Sequence, residues 1–363
     1  MLLIRPLADR DLDALYAMAE QAGKGLTSLP ADRGLLQQKI DLAGNSFNQR
    51  CAPEAALYLF ALEDTTTGQA VGISGIQARV GRDEVFYNYR LSVTVNASRE
   101  LGVHVRTPTL QLSNDMTDVS EICSLLLADT HKGGGNGLLL SRCRFLFLDD
   151  FRTQFSEKIF AEMRGVSDAE GNNPLWDALG SKFFDMAFSE ADRLSGMGNK
   201  SFIAELMPKY PIYLSMLPST ARSVIGCVHA NTAPALNMLQ AEGFNFNGLV
   251  DIFDGGPVVE TFIDSIRTVR EAVERTVTVI DVPVATAVPV AARVIVANRS
   301  MRHFRATTLP LTSVNVDTIA LPQDVAAALQ VQAGDTVRLA PLKDSGPLPR
   351  HPFKASQEPT HIV

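Results

Sequence analysis

Short apolar runs and helical patterns alternate along the chain as far as Pro257. Apolar runs bounded by turn residues predict buried strands, whereas apolar residues at three- and four-residue spacing predict helices. The predicted strands are Leu2–Ile4, Leu57–Leu62, Ala70–Val80, Tyr87–Leu91, Pro108–Leu112, Glu121–Leu127, Lys158–Met163 and Ser201–Met207. The predicted helices are one that is capped by Asp9 or Asp11 and runs through Gln21, Asp32–Ser46, one beginning at Leu138, Pro174–Phe184 and Ala233–Glu242. This order predicts an α/β (α+β) protein with a mixed sheet flanked by helices.

The sequence changes character after Val258. Residues 277–296 are rich in valine and interrupted by prolines, and residues 303–316 and 336–341 are predicted as further strands. Short β-branched strands with such breaks are typical of a small antiparallel β-domain or barrel. We therefore divide the chain into an N-terminal part (1–195), a second segment (196–258), a small β-rich domain (259–345) and a poorly ordered tail (346–363).

A glycine-rich loop, Lys132–Gly137, separates the apolar strand from the helical pattern that begins at Leu138. Glycine N–H groups can point at a ligand without obstruction by side chains, and the dipole of the following helix favours negative charge. The loop therefore predicts a phosphate site to which Lys132 adds a cation. A plain glycine turn is the alternative. In the strand Ala70–Val80, Gly72 and Gly75 indicate a bulge or a close approach.

Composition narrows the classes of function. Hydrophobic residues make up 46% of the 363 residues and the net charge is −7, which favours a globular protein with a large core and argues against a nucleic-acid-binding face. We expect no signal peptide, because the apolar start of the chain is short and soon followed by acids. We expect no membrane span, because no apolar run approaches the roughly 20 residues that a span requires. Scattered cysteines and histidines without ligand spacing favour free thiols, no metal site and a cytoplasmic protein.

The order of strand, helices, hairpin, strand, glycine loop and helix resembles the GCN5-related N-acyltransferase superfamily. The pyrophosphate loop of that superfamily has a basic residue or Gln, two residues, Gly, one residue, and Gly or Ala. Lys132, Gly135 and Gly137 fit this spacing. The resemblance implies a mixed sheet of acyl-CoA N-acyltransferase type, with the diphosphate of coenzyme A wrapped by the glycine N–H groups.

A second superfamily motif is a helix whose Tyr often protonates the leaving thiolate. Residues 232–244 resemble it, with Ala235 and Gly243 matching and Leu239 at the place of the Tyr. His229 lies just before this helix and titrates near neutrality, so it can take a proton from an amine and return one to a thiolate. A capping or core histidine is the alternative.

Longer blocks of sequence resemble one family, the arginine N-succinyltransferases. They are GLTSLP (Gly25–Pro30), SLLLAD with GNGLLLSRCRFLF, AEMRG (Ala161–Gly165), FIAELMPKYPIY (Phe202–Tyr213), VIGCVHANTAP (Val224–Pro234) and DIFDGGP (Asp251–Pro257). The resemblance implies transfer of succinyl from succinyl-CoA to the α-amine of L-arginine, the first step of ammonia-producing arginine catabolism. It implies that His229 is the proton donor and that Leu125 contacts succinyl-CoA. Where this chain has Lys132, the family usually has arginine.

These inferences define candidate residues for each part of the site. The expected cofactor-binding residues are Leu125, Leu127, Lys132, Gly133, Gly135, Asn136 and Gly137. The succinyl carboxylate needs a cation, for which the candidates beside strands are Arg90 and Arg164. The guanidinium of arginine needs carboxylates, for which the candidates are Glu162 and Glu205, with Asp115, Asp251 and Asp254 as further ones.

We expect direct transfer without a covalent intermediate, with backbone N–H groups near Leu125 polarising the thioester carbonyl and His229 carrying the proton. Acylation of Cys123 or Cys227 is a less favoured route, since neither has the motif of an activated nucleophile. Transfer to ornithine or another amine, and a non-catalytic acyl-CoA-binding subunit, are the alternative functions. The resemblance also implies a homo-oligomer or pairing with a related subunit. The recurrence of AEMRG as AELMP leads us to hypothesise an internal duplication.

Overall fold

The computed structural model describes the chain apart from residues 23–27, 83, 169–170, 189, 192–193, 195–204, 282–287, 345, 347 and 350–363. Its helices are α1 (Leu12–Ala22), α2 (Arg33–Phe47), α3 (Asn136–Asp150), α4 (Ser181–Phe184), α5 (Ser219–Val224), α6 (Ala233–Ala241), α7 (Arg267–Glu271) and α8 (Gln323–Leu329). Its strands are β1 (Leu2–Pro6), β2 (Leu57–Asp64), β3 (Gln69–Gln77), β4 (Asn88–Ser98), β5 (Val103–Ser113), β6 (Ser120–Leu127), β7 (Lys158–Glu162), β8 (Ile212–Tyr213), β9 (Asn245–Asp251), β10 (Pro257–Phe262), β11 (Val273–Ile280), β12 (Arg293–Ala297), β13 (Ala306–Pro310), β14 (Thr318–Pro322) and β15 (Thr336–Pro341).

The strands form one mixed sheet in the order β14-β11-β15-β12-β13-β1-β2-β3-β6-β7-β10-β9-β4-β5-β8. The pairs β6–β7 and β11–β14 are parallel. The strand-rich C-terminal part joins the rest through β13, which pairs with β1 at Ile4 and Ala306. Beside this pair, the Thr307 hydroxyl donates to the carbonyl of Leu2 over 2.7 Å. The predicted mixed sheet with flanking helices and a small β-rich C-terminal domain is confirmed.

Strand β2 is buried on both faces, which explains its continuous apolar sequence. On one face Tyr58 and Phe60 meet Phe147 of α3, with ring centroids 4.9 and 5.2 Å apart. On the other face Leu57 and Leu59 pack in a core shared with α1 and α2. The two layers of helices therefore fix the central strands from both sides, and α3 lies across the face that carries the aromatic cluster.

Two predicted elements differ from the structure. The helix predicted at Pro174–Phe184 is present but contains a wider π-turn at Trp176–Gly180, where a Cβ on Gly180 would lie 2.3 Å from Cε3 of Trp176. The strand predicted at Ser201–Met207 is wrong where it can be checked, because residues 205–206 are helical; residues 201–204 lie outside the described residues. AEMRG thus begins at a strand and AELMP includes a helical turn, so these sequences do not support the hypothesised duplication.

Strands β4 and β5 form a hairpin much longer than the two short strands predicted there. Its pairs run from Asn88 with Ser113 to Ser98 with Val103, whereas β9 pairs with β4 at residues 88–90. The hairpin therefore projects beyond the sheet, and it carries exposed apolar side chains on both faces. They are Val93, Val95, Leu101, Val103 and Val105, of which Leu101 is 78% exposed.

The predicted C-terminal tail lies mostly outside the described residues. Within it, Leu348 is buried in the core of the β-rich domain, and the Arg275 guanidinium donates to the carbonyl of Pro349. The described start of the tail is therefore packed. Among the residues described, no helix combines the length and the apolar character that crossing a membrane requires.

Candidate active site

The parallel ladder between β6 and β7 is short. Ser120 pairs with Ile159 and Glu121 with Phe160, and no further pair follows within these described strands, although β6 continues to Leu127. Beyond Glu121, β6 stays paired with β3, and β7 stays paired with β10. The sheet therefore opens between β6 and β7.

A bulge in the β3–β6 ladder accompanies this opening. The register shifts between Ile73 and Gly75, and Ser124 adopts a left-handed conformation with φ of 57°. A Cβ on Gly75 would lie 2.9 Å from Cδ2 of Leu59 and 3.0 Å from Sγ of Cys123, so β3 needs glycine to approach its neighbours here. The bulge and close approach predicted from the glycines of this strand are confirmed.

A cavity of about 940 Å³ is lined by residues from both strands that flank the opening. Its size is at the upper end of the usual range for small-molecule sites. It is lined by Cys123, Ser124 and Leu125 of β6, by Glu162 and Arg164 at the end of β7, by Thr232, Ala235 and Leu239 around α6, and by Asp251 and Asp254. Leu125, Glu162 and Arg164, three of the predicted site residues, are thus brought to one cavity.

The glycine loop forms the entry to α3 near the end of β6. Gly133, Gly134 and Gly135 all have positive φ angles, of 98°, 59° and 85°. Residues other than glycine rarely adopt such angles. The side-chain amide of Asn136 donates to the backbone carbonyl of His131 over 2.9 Å and closes the turn. The backbone N–H of Asn136 donates to the carbonyl of Gly133 over 3.1 Å. The next N–H group, that of Gly137, lacks a helical partner, as is usual in the first turn of a helix. This geometry fits an anion such as a diphosphate.

The loop has three further neighbours. Lys132 is exposed and forms an ion pair with Asp129, three residues earlier. From the β-rich domain, the Arg293 guanidinium donates to the carbonyl of Gly134 over 3.0 Å. Val290 approaches so closely that its Cγ1 would lie 3.0 Å from a Cβ on Gly135. The C-terminal domain therefore supports the loop, whereas Leu127 and the loop itself lie outside the cavity lining.

His229 lies between the end of β7 and the start of α6. The backbone N–H of His229 donates to the carbonyl of Arg164 over 2.9 Å, and the preceding residue, Val228, forms a β-bridge with Gly165. Its Nδ1 accepts the N–H of Asn231 over 3.1 Å, which leaves Nε2 as the nitrogen available to a ligand. The ring is half-buried, and although it does not line the cavity, the neighbouring Arg164 does.

Burial, and then the positive charge of Arg164, lower the pKa of His229 below its ordinary value of 6.5. The ring is therefore neutral at neutral pH. A neutral imidazole can accept a proton, and once protonated it is a stronger acid than an ordinary histidine. This is the behaviour that a proton carrier between an amine and a thiolate requires.

The turn between β9 and β10 fastens the end of β7. The Asp254 carboxylate accepts the N–H groups of Gly165 and Gly256 over 2.6 and 2.7 Å. Burial, and then the negative charge of Asp251, raise the pKa of Asp254 well above 3.8. A Cβ on Gly256 would lie 2.0 Å from the carbonyl oxygen of Met163, so the turn lies directly against the strand that precedes Arg164.

Two predicted substrate-binding residues lie away from the cavity lining. Arg90 forms an exposed ion pair with Asp115, on the part of β4 that pairs with β9. Glu205 is exposed in the helical turn at residues 205–206. Both residues were predicted because a charge lies within a strand-like pattern. Such a pattern does not reveal which edge or face of a strand meets the cavity.

Sequence reasoning missed several cations that line the cavity. They are Lys39, Arg79, Arg82 and Arg144. Arg144 had a detectable signal, because two arginines interrupt the apolar sequence of α3, and charges inside an apolar helix need a reason. In the described residues, no group of three or more His, Cys, Asp and Glu side chains could hold a metal ion.

Comparison with known proteins agrees with this geometry. A family model described as the arginine N-succinyltransferase beta subunit matches residues 2–268, and one for that subunit's C-terminal domain matches residues 274–341. The chain belongs to this family. The predicted resemblance is confirmed, and so is the predicted class of enzyme, an acyltransferase.

Two relatives and one solved structure illustrate the match. The chain is 47% identical over 341 residues to arginine N-succinyltransferase subunit beta of Pseudomonas aeruginosa, covering 94% of this chain and 98% of that protein. It is 45% identical over 343 residues to arginine N-succinyltransferase of Citrobacter koseri, with the same coverage. The solved structure of arginine/ornithine succinyltransferase subunit AI from Pseudomonas aeruginosa has a TM-score of 0.85 and 32% identity, covering 94% of this chain and 99% of that chain. In this family member the acyltransferase fold is thus conserved over nearly the whole chain.

The close packing at Gly256 predicts a stability effect. Gly256→Ala places a methyl group against the backbone of Met163, and backbone cannot yield as a flexible side chain can. We expect the free energy of unfolding to fall by about 2 kcal/mol or more, measured by urea denaturation. The control is Gly44→Ala in α2, where nothing lies within 4 Å of the added Cβ and helix propensity favours alanine. Equal stability of the two variants would contradict the packing described here.

Proposed function

We propose that this chain transfers the succinyl group of succinyl-CoA to the α-amine of L-arginine, releasing coenzyme A and N2-succinyl-L-arginine. The observation that carries the proposal is the opening between β6 and β7, with the glycine loop at the end of β6 and a large cavity beside the opening. An extended thioester can lie along the unpaired edge of β6 while its diphosphate meets the start of α3. The names of the relatives supply the acyl group and the amine.

Several contacts of the coenzyme follow from this placement. The diphosphate lies against the N–H groups from Gly133 to Gly137, with Lys132 released from Asp129 to add its charge. The pantetheine arm runs along Leu127 and Leu125, whose backbone groups are free of β7 at this edge. The N–H groups near Leu125 polarise the thioester carbonyl, because they are fixed where negative charge develops on its oxygen.

The chemistry is a direct transfer. The neutral α-amine attacks the thioester carbon, a C–N bond forms and the C–S bond breaks. The proton lost by the amine passes to Nε2 of His229, and the resulting imidazolium returns it to the sulfur of coenzyme A. Accepting a proton at Nε2 requires the tautomer with its proton on Nδ1, so the contact with the Asn231 N–H is given up, at a cost of about 1 kcal/mol.

The acceptor amine approaches from the side of β7 and the β9–β10 turn. Glu162 lines the cavity there and accepts a hydrogen bond of 2.8 Å from the amide of Asn88. With Asp251 it offers carboxylate oxygens to the guanidinium of the substrate. Arg164, which donates to the hydroxyl of Ser167, suits the α-carboxylate of the same substrate.

Transfer to ornithine is the second candidate, favoured by the name of the structural relative, arginine/ornithine succinyltransferase subunit AI. Ornithine has the same α-amine and α-carboxylate, and its side-chain ammonium could meet the same carboxylates. A non-catalytic acyl-CoA-binding subunit is the third. The lowered pKa and accessible Nε2 of His229 favour a catalytic chain over this last alternative.

We also propose that the chain works in the cytoplasm as part of an oligomer, either with copies of itself or with a related subunit. All four cysteines are free thiols, which suits a reducing compartment. The projecting β4–β5 hairpin exposes apolar side chains that a second subunit would cover.

The proposed activity is tested by release of coenzyme A thiol from succinyl-CoA with arginine, ornithine, lysine or no amine, and by the mass of the product. We expect the highest kcat/KM with arginine. His229→Ala should lower kcat by about 10²-fold or more and still bind coenzyme A. Binding without thiol release by the wild-type chain would favour the non-catalytic alternative, and full kcat in His229→Ala at all pH values would contradict the proton role.

The charge of Arg164 predicts a shift in the pH profile. Arg164→Met removes a positive charge that lowers the pKa of His229, so this pKa rises and the acid limb of kcat/KM moves to higher pH. The wild-type limb should lie below pH 6.5. Arg79→Met, which removes another cavity cation not among the causes of the His229 shift, should leave the limb in place. An unshifted limb in Arg164→Met would contradict the electrostatic coupling.

The exposed hairpin predicts an effect on assembly. The double variant Val95→Lys and Leu101→Lys places charges where apolar side chains would be buried between subunits, so we expect it to be monomeric by size exclusion with light scattering, with an unchanged fold by circular dichroism. Phe262→Lys, a matched change at an exposed apolar residue of β10, should keep the wild-type assembly. A monomeric wild-type chain, or a variant with wild-type assembly, would contradict this role of the hairpin.

A further inference from the structure

Most arginines buried in the described structure have a carboxylate partner. Arg5 is bound by both carboxylate oxygens of Asp11, at 2.6 and 2.7 Å. Arg142 lies 2.7 Å from Glu242, and Arg267 lies 2.8 Å from the same carboxylate. This is the expected arrangement, because a buried guanidinium that lacks a counter-charge is costly.

Arg144 is a buried arginine that lacks such a carboxylate partner among the described residues. It is 2% exposed, and no carboxylate among the described residues lies within ion-pair distance of it. Its partners are neutral oxygens: Nε donates to the carbonyl of Ser141 over 2.9 Å and Nη2 to the Ser141 hydroxyl over 3.0 Å. Nη1 is shared between the carbonyls of Gly75 and Cys123, both at the long distance of 3.4 Å. The guanidinium is therefore buried with its positive charge uncompensated.

The cavity between β6 and β7 reaches this guanidinium. Arg144 lines it together with Cys123, Ser124 and Leu125. Its two long contacts go to carbonyls of β3 and β6 at the bulge, where the register of the ladder shifts. The bulge thus interrupts the strand pairing at the place where the guanidinium meets the cavity.

The glycine loop and Arg144 lie on the same helix. From Asn136, at the start of α3, to Arg144 is eight residues, or about 12 Å along the axis. Since α3 returns alongside β6, Arg144 lies next to Cys123, deeper in the opening than Leu125. A thioester that extends from the loop past Leu125 would therefore direct its acyl chain towards Arg144.

We propose that Arg144 binds the terminal carboxylate of the succinyl group and selects a dicarboxylic acyl chain over a neutral one. This inference rests on the proposed succinyl transfer. The two methylene groups of the succinyl chain extend from the thioester, beside Leu125, towards the bulge, and the carboxylate supplies the counter-charge that no described residue provides. Nη1 then exchanges two long contacts with carbonyls for a charge-assisted hydrogen bond.

The other cavity arginines are less suited to this role. Arg79 donates to the carbonyl of Ala78 and to the hydroxyl of Ser120, before the point at which β6 and β7 separate. Arg82 already forms an ion pair with Asp118. Arg164 lies beside His229, on the side where the amine would enter.

The binding of a neutral acyl chain leaves the charge of Arg144 uncompensated. A buried charge that loses its partner discriminates far more strongly than a lost methylene contact does. The guanidinium keeps its proton throughout the ordinary assay range, since burial lowers the pKa of Arg144 to about 10 and no further. Acyl selectivity through Arg144 is accordingly independent of pH between pH 6 and about pH 9.

The test compares succinyl-CoA with butyryl-CoA, which has the same chain length and a methyl group in place of the carboxylate. For Arg144→Met we expect kcat/KM with succinyl-CoA to fall about 100-fold, while kcat/KM with butyryl-CoA stays equal or rises. Arg144→Lys keeps the positive charge but loses the planar set of N–H donors of the guanidinium, and should retain part of the selectivity. Arg82→Met, a matched change at a cavity arginine that is already paired, should keep the wild-type ratio.

Two controls separate selectivity from folding. Binding of coenzyme A without an acyl group should be the same in wild type and Arg144→Met, and the wild-type chain should bind succinyl-CoA much more tightly than butyryl-CoA. Equal losses with both acyl groups in Arg144→Met and Arg144→Lys would show a structural role and overturn the proposal. Loss of selectivity in Arg164→Met rather than in Arg144→Met would overturn it as well.

The ratio of the affinities for succinyl-CoA and butyryl-CoA, measured by isothermal titration calorimetry, also separates this inference from the proposed activity. A wild-type chain that transfers no acyl group to any amine contradicts the proposed function, yet a strong preference for succinyl-CoA that is lost in Arg144→Met would still support the acyl site. A chain that succinylates arginine but binds succinyl-CoA and butyryl-CoA equally would support the activity and overturn the role of Arg144.

Discussion

The interrupted ladder between β6 and β7 is the constraint on which the rest of the site depends. Each strand is held along its other edge, β6 by β3 and β7 by β10, so neither can move across to close the gap. The bulge at Gly75 and Ser124 and the turn that fastens Gly165 act on opposite sides of the same opening. The opening between β6 and β7 is therefore formed without a ligand, which reduces the free-energy cost of ordering the site on binding.

Helix α3 connects the two ends of this opening. Its first turn carries the glycine loop, and its buried middle carries Ser141, Arg142 and Arg144 among apolar side chains. Arg142 is neutralised by Glu242, which also holds Arg267, so one of the two adjacent charges has a structural explanation. If the coenzyme binds as proposed, this helix would set the distance between the diphosphate at its start and the acyl carboxylate at Arg144, and so would favour one length of acyl chain.

Much of this arrangement could be predicted from the sequence. The continuous apolar strand β2, the glycine loop before α3 and the helix after His229 follow from local patterns, and the structure has them at nearly the expected boundaries. Long-range partners could not be predicted in this way. Arg90 and Glu205 were chosen as charges within strand-like runs, but pairing with Asp115 and a helical turn place them elsewhere. The charge of Arg144 inside an apolar helix is visible in the sequence, but the sequence does not show which of the two arginines of α3 lacks a carboxylate partner.

The junction of β1 and β13 also has a consequence for biosynthesis. Thr307 reaches back to Leu2 across 305 positions of the chain. While the protein is being made, β1 can pair with β2 early, but its other edge stays uncovered until β13 leaves the ribosome. An open strand edge is a template for pairing with other chains. The newly made catalytic part is therefore exposed to misassembly for most of its synthesis, and completion of the small C-terminal domain ends that exposure.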